Sequence, residues 1–231
     1  MTDTEPEKEE RVSHPMFARM YLRMASTRGA RGEAELRRKL LAGLRGRVIE
    51  VGAGGGINFP FYPRTVHHVL AVEPEPLLRA AAVQNAADAP VPIEVIDGVS
   101  GQLPAEDESF DAGVASLVLC SVPDQRRALD ELSRVIERGG ELRFYEHVLA
   151  DRPVAAQLQR LADAVFWPRV AGGCHLSRDT EAALTRAGFS IERIERFLFT
   201  PGLPVPPIPH ILGIARAASS RTTTWRGQRP G

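Results

Sequence analysis

An α/β fold, in which a mostly parallel sheet carries helices on both faces, is predicted by three observations. Short apolar runs of strand length alternate with segments of helical period. A glycine-rich loop follows directly after the first of those runs, where an open α/β sheet binds its ligand. The chain has 231 residues, 43% of them hydrophobic, enough for one sizeable core but not for two full domains.

The elements follow in order. Residues 1–12 are charged and lack apolar periodicity, so a disordered tail is expected there, and again over 218–231. The stretch 13–43 reads as helical, with Met16, Phe17, Met20, Tyr21 and Met24 on one face; 13–45 is expected to form a helical cap over the ligand cleft. The core spans 46–148. Its strands are predicted at 48–51, 69–72, 93–96, 112–118 and 142–145, with helices at 77–85 and 125–136 between them. A second cap insertion is expected over 149–177. A helix at 178–187, preceded by Ser177 as a candidate cap, leads to strands at 189–199 and 210–217, joined through the proline-rich PGLPVPPIP. All of 13–217 is expected to be one domain.

Composition excludes several classes. Lys plus Arg and Asp plus Glu are each 29, so no global field draws the chain to nucleic acid or an anionic membrane. Aromatic content is 6%, with no basic patch interleaved with aromatics, and a nucleic-acid partner is not expected. The two cysteines, Cys120 and Cys174, are too few for a disulfide scaffold or a four-ligand zinc site, so no metal is expected and a reducing cytoplasm fits. The acidic start MTDTEPEKEE does not resemble a signal peptide, and no apolar run is long enough to span a membrane.

The chemistry concentrates in VIEVGAGGGINF, which places Glu50, Gly52, Gly54 and Gly56 at every second position, with Asn58 just beyond. Glycines let the backbone turn sharply and approach a cofactor without a Cβ in the way. The dinucleotide fingerprint G-x-G-x-x-G would need glycine at position 57, which is Ile57. Glu73 ends the second strand, where a carboxylate can accept hydrogen bonds from both ribose hydroxyls, and Pro74 follows it near the expected adenine. Asp97 and Gly98 end the third strand, and Ser116 and Leu117 lie in the fourth as further candidates for the cofactor.

The spacing E-x-G-x-G-x-G, followed by GQLPAEDESFDAGVASLVLCSVPD and ALDELSRVIERGGELRFYEHV, resembles the class I S-adenosylmethionine-dependent methyltransferases over about 46–148. That resemblance implies a Rossmann-like, seven-stranded sheet whose last two strands form an antiparallel pair. It implies S-adenosylmethionine as cofactor, Glu50 near its methionine amino group and Asp97 on the adenine amino group. GINFPFYP, SLVLCSVPDQ, FYEHV, GGCHLSRDT and PHILGIARA further resemble, in the same order, the animal methyltransferase-like seven thiol S-methyltransferases and their bacterial relatives. The hydrophobic N-terminal anchor of the animal proteins has no counterpart here, so a soluble protein is expected; a monomer and a homodimer are both open.

A small-molecule acceptor follows from the resemblance, with a thiol as one candidate. Methylation of oxygen, nitrogen or carbon on a lipid, quinone or natural product, or a non-catalytic cofactor-binding module, are the alternatives. Candidate acceptor-pocket residues are Phe17, Tyr21, Glu146, Trp167, Cys174 and His175, with Asp179 nearby in sequence. His147, just past the fifth strand, is the candidate general base.

Overall fold

The computed structural model describes residues 14–27, 31–200 and 207–219. The tail expected at 1–12, nearly all of the one expected at 218–231, and most of the proline-rich connection lie outside them, as does the side chain of Met24.

Seven strands form one sheet: β1 (Gly46–Val51), β2 (Val66–Val72), β3 (Ile93–Ile96), β4 (Phe110–Ser116), β5 (Ile136–His147), β6 (Ser190–Phe199) and β7 (Ile208–Arg216). Their order is β3-β2-β1-β4-β5-β7-β6. The pairings β1–β2, β1–β4, β2–β3 and β4–β5 are parallel; β7 runs antiparallel between β5 and β6. Strand order reverses between β1 and β4, and their carboxyl ends open on a crevice.

Both faces of the sheet are covered, which is why the central strands are apolar runs rather than alternating ones. In β1, Ile49 and Val51 point into a core with Leu129, Leu132 and Phe144, while Val48 joins Leu40, Leu41, Phe59 and Val69 on the opposite face. Three short helices have side-chain caps. Glu75 accepts from Leu78 N–H at the start of α3 (Pro76–Ala86) and Asp124 from Arg127 N–H at α4 (Gln125–Val135). At α7 (Thr180–Arg186) the cap is Asp179, accepting from Ala182 N–H, and not the Ser177 that the sequence suggests. The helix begins two residues later than expected, and Ser177 N–H instead donates to Asp163.

The two helices of 13–43 have different neighbours. Leu40 and Leu41 of α2 (Arg31–Leu41) are fully buried in the core. On α1 (Pro15–Thr27), Phe17 and Tyr21 lie over the crevice. In the 149–177 segment, α5 (Pro153–Val165) turns Val154, Leu158, Leu161 and Val165 to solvent, and a single turn, α6 (Trp167–Val170), follows it. β5 is much longer than the predicted 142–145, because its first residues include the exposed Glu137 and Arg138, which carry no apolar signal. Among the described residues, no helix is long and apolar enough to cross a membrane.

Candidate active site

The crevice is a cavity of about 630 Å³ at the carboxyl ends of β1, β2 and β4. Its wall contains Gly52, Gly54, Glu73, Pro74, Gly98, Ser116 and Leu117 from the sheet edge, and Phe17 and Tyr21 from α1. These residues come from five separate stretches of chain, brought together by the sheet order and by the packing of α1 over the sheet edge.

The glycine loop is shaped for close approach. Gly52, Gly54 and Gly56 have φ of +65°, +58° and +78°, a region that disfavours side chains. A Cβ on Gly52 would lie 2.3 Å from Val118 Cγ2, and one on Gly54 would lie 3.2 Å from the Tyr21 hydroxyl. Gly54→Val is therefore expected to abolish measurable S-adenosylhomocysteine binding in calorimetry while the far-ultraviolet circular dichroism stays native. Binding within a factor of about two of wild type would show that the loop tolerates a side chain there.

Glu73 is buried just past β2. Its Oε2 accepts from Gly54 N–H at 2.7 Å and its Oε1 from Glu75 N–H at 2.9 Å. Each carboxylate oxygen keeps a second lone pair for hydroxyl donors. Burial raises its pKa, opposed by the two backbone hydrogen bonds. At the end of β4 the Ser116 hydroxyl is buried without a hydrogen-bond partner. An orphaned hydroxyl, a carboxylate with spare acceptor capacity and a glycine cradle fit the polar rim of the cofactor the sequence implies.

Several predicted residues sit away from the cavity wall. Glu50 is buried and accepts from Asn58 Nδ2 and the Tyr62 hydroxyl, both at 2.7 Å; Asn58 Oδ1 in turn accepts from Arg37 at 2.7 Å. This network ties β1 to α2 and to the turn at Phe59–Phe61. Asp97 is exposed and pairs through Oδ1 with Arg79 at 3.0 Å, which leaves Oδ2 able to accept a further hydrogen bond. Glu146, His147, Trp167, Cys174 and His175 do not line the cavity either. Glu146 is fully buried and accepts three backbone N–H groups, from Val118 (3.1 Å), Leu119 (2.9 Å) and Cys120 (3.0 Å). His175 lies beside Asp163 at 4.0 Å, and Trp167 packs against the buried cluster of Cys120, Cys174, Leu176 and Ile208. Sequence reasoning overlooks Arg37 and Tyr62 as partners of the loop. Tyr62 belongs to the quoted GINFPFYP segment; Arg37 carries no local signal.

Glu50 makes stability depend on pH. Burial pushes its pKa from 4.5 up to about 7, against the opposing hydrogen bonds from Tyr62 and Asn58. A raised carboxyl pKa means the folded chain holds a proton that the unfolded chain has lost. Its contribution is thus fully present below pH 4.5 and declines as pH rises through about 7. Over that window the group is expected to cost about 3 kcal/mol at most. In the Glu50→Gln variant the new amide can still accept from Asn58 but no longer titrates. Urea unfolding from pH 5 to 7.5 should therefore show a shallower decline for the variant than for wild type, and parallel curves would refute the shift.

Comparisons with known proteins agree with this geometry. Residues 49–144 match a methyltransferase domain family. Thiol S-methyltransferase TMT1B of Mus musculus is 34% identical over 205 residues, covering 87% of this chain and 82% of that protein. Thiol S-methyltransferase TMT1A of Homo sapiens is 33% identical over 171 residues, covering 73% and 69%. Among solved structures, an S-adenosylmethionine-dependent methyltransferase of Thermotoga maritima superposes with a TM-score of 0.66 at 20% identity, over 87% of this chain and 97% of that one. The chain therefore belongs to the class I S-adenosylmethionine-dependent methyltransferases, in the family that includes the thiol S-methyltransferases TMT1A and TMT1B.

Proposed function

We propose that this enzyme methylates a small thiol on sulfur. The observation that carries the reading is the 34% identity with a thiol S-methyltransferase across both the cofactor core and the segments beyond it, 205 residues in all. S-Adenosylmethionine supplies a methyl group already activated on a sulfonium, open to in-line displacement. What the chain contributes is position and exclusion of water.

In this reading Glu73 receives the ribose hydroxyls, Ser116 donates to the cofactor's polar part, and Gly52, Gly54 and Gly98 let backbone approach it. Phe17, Val118 and Val122 line the cavity with apolar surface. Such a wall favours a thiolate attacking a sulfonium, because opposite charges cancel as the bond forms. A thiol of pKa about 8.5 is roughly one-tenth ionised near pH 7.5, so the acceptor needs little help in losing its proton. His147 is not on the cavity wall and its Nδ1 is engaged with two sulfurs, which supports a reaction without a general base from this residue.

The test is a panel of alkyl thiols, phenols, amines and carboxylates at fixed cofactor, with products identified by mass spectrometry. Thiol turnover at subsaturating acceptor should rise with pH toward the acceptor's own pKa. Turnover of phenols or amines with none of any thiol would replace this reading by oxygen or nitrogen methylation. A second measurement concerns the cover. Hydrogen exchange is expected to slow along α1 when S-adenosylhomocysteine binds and to stay unchanged in α5, whose apolar face is turned to solvent. Equal protection of both would mean that α5 also closes on the cavity.

A further inference from the structure

Cys120, Cys174 and His147 converge beside the cofactor cavity. The Cys120 and Cys174 sulfurs are 3.6 Å apart, and His147 Nδ1 lies 3.5 Å from the first and 3.3 Å from the second. Cys120 is fully buried and Cys174 nearly so. Among the described residues they are the one cluster whose donor atoms have the spacing of a metal site.

The backbone holds these donors in place. Cys120 follows β4 in the stretch pinned by Glu146, and His147 ends β5 immediately beside Glu146. Cys174 follows the turn Gly172–Gly173, both at positive φ, and His175 N–H donates to Cys120 O at 2.8 Å. A Cβ on Gly173 would lie 2.9 Å from Ser121 O, so only glycine lets the two segments approach this closely.

The triangle has the dimensions of one face of a zinc tetrahedron. With Zn–S of about 2.3 Å and Zn–N of about 2.0–2.1 Å, ideal edges are about 3.8 Å between sulfurs and about 3.6 Å between sulfur and nitrogen. The measured edges of 3.6, 3.5 and 3.3 Å are each within about 0.3 Å of those values, so an ion needs only a slight expansion. Beside the cluster, the Arg178 guanidinium donates to the Leu119 and Val122 carbonyls and is held by backbone rather than by the sulfurs.

We propose that Cys120, Cys174 and His147 Nδ1 form a three-ligand site for a thiophilic divalent cation of the zinc type, with a fourth position open to water or another donor. Binding releases whatever protons the two thiols still carry, and no redox change is involved. Ser121, whose hydroxyl is 3.5 Å from Cys120 Sγ, lines the cavity, so the site abuts the cavity wall. The proposal does not depend on which acceptor is methylated.

The test uses the untagged full chain, reduced, stripped with chelator and titrated with Zn²⁺ against a chromogenic competitor. One tightly held equivalent per chain is expected. Cys120→Ser and Cys174→Ser should each weaken retention by about a hundredfold or more. Wild-type protein loaded with Co²⁺ should show tetrahedral visible bands and a sulfur-to-cobalt charge-transfer band in the near ultraviolet. This spectrum decides the matter even if a serine variant fails to fold. No retained Zn²⁺ and no charge-transfer band would overturn the proposal. So would equal retention by the variants, or a Cys120–Cys174 disulfide that forms in preference to the loaded site, since a disulfide needs the sulfurs to close to about 2.05 Å and leaves no room for the ion.

Discussion

Glu73→Ala is expected to weaken S-adenosylhomocysteine binding about ten- to a hundredfold, equivalent to about 1.5–3 kcal/mol for charge-assisted hydrogen bonds to the ribose hydroxyls. The local structure adds a second loss. The same carboxylate holds Gly54 N–H and Glu75 N–H, so alanine leaves a donor of the glycine loop and one at the start of α3 without acceptors. Unfolding free energy of the cofactor-free variant should fall by about 1–3 kcal/mol for those buried donors. Calorimetry below the variant's unfolding transition separates the two effects. Glu73→Gln should be intermediate, because one amide oxygen can accept where two carboxylate oxygens did, while the amide nitrogen confronts a backbone N–H with another donor. Affinity unchanged in Glu73→Ala would remove Glu73 from the cofactor site.

Glu146→Ala is expected to be the most destabilising substitution of those considered, by about 3 kcal/mol, because two buried N–H groups and a half-buried one lose one acceptor together. The carboxylate lies wholly inside the protein, and burial raises its pKa against those three hydrogen bonds. Val118–Cys120 would then be free to shift. That would displace Val118 from its contact with Gly52 and Cys120 from its place beside Cys174 and His147. Denaturant unfolding checks the energy, and cofactor affinity checks the displacement. A loss below about 1 kcal/mol would mean that the three amides find other acceptors or water. The sequence places Glu146 in the acceptor pocket; its position against the three amides makes it, in our reading, a residue that positions the loop rather than one that meets substrate.

The sheet and its glycine loop are legible in the residues themselves. Each central strand is an apolar run closed by a turn residue, and the positive φ at Gly52, Gly54 and Gly56 is written in their identity, because glycine alone adopts it without strain. Glu73 is legible for the same local reason, standing at the carboxyl end of a strand beside that loop. Which amphipathic segment faces what is settled only in the folded chain. Periodicity gives a helix an apolar side but not the surface it meets, so Leu40 and Leu41 enter the core, Phe17 and Tyr21 cover the cavity, and Leu158 and Leu161 face solvent. Partners distant in sequence are equally invisible to a local reading. Arg37 reaches Asn58 across 21 positions and Cys174 reaches Cys120 across 54. No local pattern encodes such pairs, because they arise only when sheet order and a tight glycine turn bring separate segments within contact distance.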